Sequence, residues 1–456
     1  MKIITIGLRL LGLLSLIYSS YALALTDALP EVKKTNQDHT AYINTQNPNY
    51  TLSPASQKKL VHQYVEHFFA PWTGEERILN TWQVQVIQKN IVKLFQQHPG
   101  YAQNNQLHTA EWVNQIAENM NLAGFPSLNL PAITVHSTSA RLLPTIEPSY
   151  SSLNMLHPSH GVDHIQASFI PANTPLLVMH ISRDGAWYLV LTPQFAGWIP
   201  NHDLAFVNQA FMDQWKKNHS YVVAVSDDKS IFDMKNIVRA KTRIGMLYPL
   251  VKSNDKSYFV LTAMSDPNQK AIIKTGMFKK DYGRPFPMPL SSKNLAWMAN
   301  QMVGMSYAAG DAYRYRDGSS TLMNLLSPFG IWLPRNPTEQ VRTGKFVDFS
   351  KLKPEEKEIQ IQQKAVPFFT LLHTPNHVML YLGKIDGVPY VFQNKAGFIT
   401  EDAKGNVNKA ILGGAYITPL NFKLENATLK NPAINEIDGM ILLVSKDQLH
   451  IQQITS

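Results

Sequence analysis

The sequence predicts a multidomain α+β protein, and three observations carry that expectation. Apolar residues recur at helical spacing from Ser53 to about Leu122. Between Pro131 and Pro285 the pattern changes to short alternating runs separated by polar turns. Beyond Pro289 a helical pattern leads into strand signals joined by tight turns, as in an α+β module. At 456 residues the chain is too long for one compact core. It has no cysteine, so burial rather than disulfide bonding must supply its stability.

Taken in order, residues 1–24 read as a signal peptide. Met1-Lys2 is basic, Ile3 to Leu16 is mostly apolar with Arg9 interrupting it, and Ala22-Leu23-Ala24 offers a small-x-small cleavage site. The apolar run falls short of the ~20 residues that a spanning helix needs. The mature chain is therefore expected to be exported, to periplasm or cell envelope or beyond, with no transmembrane segment after cleavage. Residues 25–50 are polar, without period, and read as a flexible leader. A helical segment is expected over 51–130. Ser53-Pro54 caps its first helix, which Pro71 should end, and further helices run from Thr81 to Gln97 and from Thr109 to Leu122.

Two β modules follow, at 131–208 and 209–285, each the size of a small barrel. Leu176–Ile181 and Trp187–Leu191 flank Arg183-Asp184-Gly185, a hairpin signal. Gln209 to Asn218 reads as a linking helix. Tyr221–Val225, Gly245–Val251 and Tyr258–Ala263 alternate, and Ala271–Lys274 closes the second set. The last module is expected over 290–450. Its first helix is capped by Ser291 or Ser292, residues 341–364 form a polar surface excursion, and Val366–Leu372 is a buried strand. Asn376–Gly383 and Tyr390–Asn394 are two more strands.

Formal net charge is +9 and the pI is about 9.3. For an exported protein this favours anionic polymers such as cell-wall glycan or lipid head groups. The basic residues are scattered rather than clustered, which argues against nucleic acid.

The stretch Tyr315-Arg316-Asp317-Gly318-Ser319-Ser320-Thr321-Leu322 runs from polar loop into apolar helix. Asp317 and Ser319 can cap free amides there, and the residue between them would sit at the positive end of the helix dipole. A thiol at that point would be a nucleophile with lowered pKa. The chain has Gly318 instead.

Five segments together carry a family likeness: Tyr64 to Trp72; Pro131 to Val135 with Arg141 to Thr145; Arg316-Asp317-x-Ser319-Ser320; Phe329 to Arg335; and His377 to Gly383. They resemble the exported NlpC-type cell-wall peptidases, in the subgroup with an N-terminal stabilising segment and two bacterial SH3-like domains. The likeness covers nearly all of the mature chain. It implies two SH3-like barrels and a papain-like C-terminal core. There a cysteine attacks a peptide bond, a strand histidine takes its proton, and a polar residue orients that histidine. The implied substrate is the stem peptide of peptidoglycan, at the γ-D-glutamyl-diamino acid bond.

Carried onto this sequence, the likeness puts the lost nucleophile at Gly318, the base at His377 and the orienting residue at Gln393, where the subgroup usually has histidine. Asp317 and Ser319 match positions that hold the stem peptide's amine, with Tyr307 lining the pocket and Arg335 a further contact. Two more positions depart from the pattern. Ala309 stands where an aromatic residue is expected, and Arg335-Asn336-Pro337 replaces an Arg-x-Ser element. No metal or other cofactor is implied. The expectation is a catalytically impaired, cell-wall peptide-binding homologue. Two alternatives stay open: an active murein hydrolase using Ser319 or an activated water, and an enzyme whose cysteine has been replaced by engineering.

Overall fold

A computed structural model describes residues 29–44, 47–75, 77–151, 161–217, 219–424 and 427–452. The signal segment read at 1–24 lies outside the described residues, and so do the first residues of the leader. No described helix is long and apolar enough to cross a membrane.

Helix α1 (Pro54–Thr73) starts as its sequence demands. The Ser53 hydroxyl accepts the Ser56 amide at 3.2 Å, and proline occupies the first turn, where a missing N–H costs nothing. Pro71 does not end it. The helix continues to Thr73, and Gly74 closes it at φ 85° by donating its amide to the Ala70 carbonyl. A proline this close to the C-terminus removes only one hydrogen bond, while the continued turn buries Trp72. The Trp72 indole donates to the Ala132 carbonyl at 2.7 Å, tying α1 to the first β module. Helices Thr81–Gln97 and Ala110–Met120 bury Val84, Phe95, Val113 and Met120 against Leu189 and Trp198 of the same module.

Among the described residues, the first β module has seven strands between Leu130 and Phe206, including β1 (Gln166–Ile170). Numbered along the module, they lie in the order third, second, sixth, fifth, fourth, first, seventh. The second module, from Tyr221 to Phe286, has seven strands in the same order. Its hairpin Ser230–Asp233 with Val238–Lys241 escaped the sequence reading, because these strands are four residues each and mostly half-exposed. Between the modules, Gln209–Lys216 forms the linking helix, capped by Asn208.

The last module is one antiparallel sheet with helices on both faces. Helix α2 (Gly318–Leu326) rests on strands β2 (His377–Ile385) and β3 (Val388–Glu401), and β4 (Val407–Pro419) follows β3 in the sheet. Strand alternation divides the core. Val378, Leu380 and Leu382 pack with Leu322, Leu325 and Leu326 of α2, whereas Met379 and Tyr381 pack with Phe349, Ile361 and Ile434 on the other face.

Two expectations need correction here. The polar excursion contains an edge strand, Lys345–Asp348, and a helix, Pro354–Lys364, anchored by buried Ile361. The strand expected from Val366 instead runs Thr370–Thr374, because Phe368 turns the chain at φ 66°.

The leader is also corrected, since its described part is folded. Val32 is buried among Phe398, Leu412 and Tyr416. His39 meets Phe392 edge-on at 4.6 Å, and Tyr42 meets Tyr390 at 5.1 Å. The Gln37 amide accepts from the Ile417 N–H at 2.8 Å and donates to the Ile417 carbonyl at 3.0 Å, as a neighbouring strand would. Polar composition misleads here because the polar side chains satisfy sheet backbone rather than solvent. Tyr50–Leu52 then pairs antiparallel with Leu449–Ile451.

Candidate functional site

The start of α2 is fixed by a reciprocal cap. The Asp317 carboxylate accepts the Ser320 amide at 3.0 Å, and the Ser320 hydroxyl accepts the Asp317 amide at 3.1 Å. Ser320, not Ser319, is the partner. Gly318 is the first helical residue and is buried.

His377 begins β2 and turns its ring onto Gly318. A β-carbon built on Gly318 would lie 2.7 Å from both Cε1 and Nδ1 of the imidazole, and 3.1 Å from the Asn394 carbonyl oxygen. The ring therefore fills the space that a side chain at 318 would need. On its far side, Nε2 donates to the Gln393 side-chain oxygen at 3.0 Å, and the Gln393 amide donates to the Thr418 hydroxyl at 2.8 Å. That chain fixes the tautomer, with the proton on Nε2 and the Nδ1 lone pair toward Gly318. Burial, with the positive charge of Lys395 adding to it, drives the imidazole pKa down to about 3, only partly opposed by the Gln393 hydrogen bond. His377 is thus a neutral imidazole facing a residue that has no side chain. Neither the Ser319 nor the Ser320 hydroxyl is hydrogen-bonded to it, and the Ser320 hydroxyl is taken up by Asp311.

Around this point three arginines interlock with three aspartates. Arg335 grips Asp317 through two bonds, at 3.1 and 2.6 Å, and its Nε donates to Ser168 of β1 at 2.7 Å. Arg243 of the second β module reaches Asp311 at 3.2 Å and the Arg314 carbonyl at 2.7 Å. Arg316 pairs in bidentate fashion with Asp227, also of the second module, and donates to Asn324 of α2 at 2.7 Å. Bidentate pairing of planar guanidinium with carboxylate holds direction as well as charge. Burial alone would raise the Asp317 carboxyl, but Arg335 and the Ser320 hydrogen bonds together outweigh it and hold the pKa below the usual value. Burial chiefly, helped by the Asp317 charge, pushes the Tyr307 hydroxyl up to about 12, so it stays protonated.

Part of this cluster borders an open pocket of about 830 Å³. Tyr307, Asp317, Gly318, Ser319, Arg335 and His377 all line it, while Gln393 supports the imidazole from behind. The sequence reading missed Asp311, the hub of the ionic network, and Gln166 of β1, which forms one wall and donates to the Gly310 carbonyl at 3.0 Å. It also missed Lys395, although strand alternation from Gln393 could have found it. Among the described residues no cluster of three metal-ligating side chains occurs.

Known proteins share parts of this chain and its fold. Residues 10–125 match the model of the NLPC_P60 stabilising domain, N-terminal, and residues 150–200 match that of an SH3 domain of the SH3b1 type. A solved NlpC/P60 endopeptidase from Photobacterium damselae subsp. piscicida superimposes with a TM-score of 0.80 at 24% identity, over 90% of this chain and 97% of that one. An NlpC/P60 family protein from Bacillus cereus aligns at 19% identity and TM-score 0.45, over 69% of this chain and 100% of that one. Among curated proteins, no sequence matches. The chain thus carries the N-terminal stabilising domain of the NLPC_P60 family and an SH3 domain of the SH3b1 type, built into the fold of an NlpC/P60 endopeptidase.

Proposed function

We propose that this protein is an exported cell-envelope component that holds peptidoglycan stem peptides without cutting them. One observation carries the reading: Gly318 stands at the head of α2 where a nucleophile would be, and the His377 ring occupies the side-chain space. The rest of the pocket is built and ordered by charge pairs, which supports binding rather than decay. Losing a member of a catalytic triad typically costs several orders of magnitude in rate. Ser319 does not replace it, since one residue along a helix rotates a side chain by about 100°. In this reading Tyr307, Ser319 and Arg335 border the bound peptide, and Asp317 acts through Arg335 and the α2 cap.

The test is direct. Mature protein mixed with purified muropeptides is expected to retain them in equilibrium dialysis and to release no new dipeptide by mass spectrometry. Product release that disappears in His377→Ala would mean a working hydrolase and would overturn the proposal.

A further inference from the structure

Lysines and arginines are spread along the chain, but their excess over acidic residues is not. Residues 209–286, the linking helix and the second β module, hold 14 Lys and Arg against 7 Asp, with no Glu. Beyond residue 24 the rest of the chain is balanced, at 26 of each sign. This one region therefore carries all the net charge of the chain expected after signal cleavage.

The same module holds apolar side chains in water. Its hairpin, Ser230–Asp233 with Val238–Lys241, ends in a tip where Met234 is 70% exposed, Ile237 47% and Val238 48%. The tip is built rather than slack. The Asp233 carboxylate accepts the Lys235 amide at 2.8 Å and the Ile237 amide at 2.9 Å, and Nε of Arg239 donates to it at 2.8 Å. Asn236 takes the left-handed turn position at φ 61° and donates its amide to the Asp233 carbonyl. The carboxylate of the tip is thus spent within the turn, while Lys235 stays exposed beside the apolar side chains. Pairing of Phe232 with Met277 and of Asp233 with Gly276 runs the hairpin along strand Ala271–Lys279 toward Ile272 and Lys274, both exposed. At its base, Asp227 pairs with Arg316 and Asp228 accepts from Arg314 at 2.7 Å, which clamps the hairpin to the last module.

An ordered turn that holds three apolar side chains in solvent, on a basic module, has the make-up of a membrane-surface contact. Apolar groups enter the boundary between headgroups and acyl chains, while lysines reach the anionic headgroups. A soluble polyanion would engage the lysines but has no hydrocarbon in which to bury Met234, Ile237 and Val238. We propose that the second β module docks on an anionic lipid surface, through the tip at residues 234–238 and the lysines around it. Such a contact needs no spanning helix and is independent of peptide binding. Through the Arg314 and Arg316 clamps, docking also fixes how the pocket is turned toward the bilayer.

The experiment sediments mature protein with vesicles of phosphatidylcholine, alone or equimolar with phosphatidylglycerol, and titrates it separately with heparin as a soluble polyanion. Cosedimentation is expected with the anionic vesicles only, and it should weaken at high salt. The triple change Met234→Ser, Ile237→Ser and Val238→Ser should lower vesicle affinity about tenfold or more and leave heparin affinity as it was. Lys235→Gln with Lys274→Gln should weaken vesicle binding by roughly fivefold per lysine. Met234→Trp reports insertion directly, because its fluorescence should shift to the blue with anionic vesicles and not with heparin. Failure to sediment with anionic vesicles, equal sedimentation with both kinds, or an unshifted Met234→Trp overturns the proposal. Vesicle binding untouched by the triple serine change also overturns it and assigns the module to soluble polyanions instead.

Discussion

Gly318 and His377 compete for one volume, and that competition makes a prediction that ordinary helix propensity does not. Glycine to alanine in a helix is usually worth up to ~1 kcal/mol of stability. Here the new methyl would meet the imidazole at 2.7 Å, and the ring is held from behind by Gln393. Gly318→Ala should therefore give no gain, or a loss of about 1 kcal/mol or more from overpacking. In a His377→Ala background the same change should stabilise. Urea denaturation of the four proteins gives the coupling directly, and additive effects would refute the crowding argument.

His39 makes a second residue-scale prediction. Burial lowers its pKa from 6.5 to about 4, and its Nδ1 is matched only to the Asn300 side-chain oxygen. The folded state then resists a proton that the unfolded chain accepts. Stability from this group is complete above pH 6.5, falls as pH drops, and has decreased by about 3 kcal/mol at pH 4. His39→Phe should flatten the stability profile across that window, as followed by thermal melts. Neither effect was legible in the sequence. The glycine at the head of α2 was readable from the stretch around Gly318 together with the family likeness, but the inward turn of the His377 ring depends on β2 and α2 meeting at their ends.

At the scale of single elements, α2 is held by its cap and by the arginine behind it. Asp317→Asn keeps a capping oxygen but removes the charge that Arg335 faces, whereas Asp317→Ala removes both. A cap is worth about 1 kcal/mol, and breaking a buried pair from one side about 3–5 kcal/mol. Both variants should be destabilised by several kcal/mol in chemical denaturation, with alanine lower by about 1 kcal/mol. A nearly neutral Asp317→Asn would show that Arg335 finds another partner, and Asp311, 3.4 Å from it, is the candidate.

Much of the element pattern could be read in advance, because it rests on local signals. The helix at Thr81–Gln97 and the caps at Ser53 and Ser291 follow from spacing and capping chemistry. The misreadings share another cause. At Pro71 and in the Lys345–Lys364 region, a local breaker or polar composition was outweighed by tertiary burial, of Trp72 and Ile361 respectively. The two β modules share one strand order although no repeat is evident in their residues. Fold is carried there by turn spacing and alternation, which many sequences satisfy.

For the whole molecule, the arginine network joins three modules at the pocket's edge. Ser168 belongs to the first β module, Asp227 and Arg243 to the second, and Arg316, Arg335 and Asp311 to the last. The resemblance singled out Arg316 and Arg335, but their partners lie far away in sequence, so their pairing could not be read. Arg316→Met should loosen the second module from α2 and leave each core intact. Hydrogen exchange is expected to rise at residues 227–228 and 314–318, with little change in the strands of either sheet. Uniform protection throughout would mean that apolar contacts alone set the arrangement.

The ladder between Tyr50–Leu52 and Leu449–Ile451 has a consequence in time rather than space. Its neighbouring side chains Asn49 and Gln452 touch across 403 positions of sequence. A chain emerging from a ribosome or a translocation channel presents the first of these strands long before the second exists. The early segment, with Val32, Tyr42 and Leu52 all bound for burial, must wait uncovered while the modules between them fold. For a chain threaded through a membrane N-terminus first, that waiting period is when a chaperone or holdase has the most to protect.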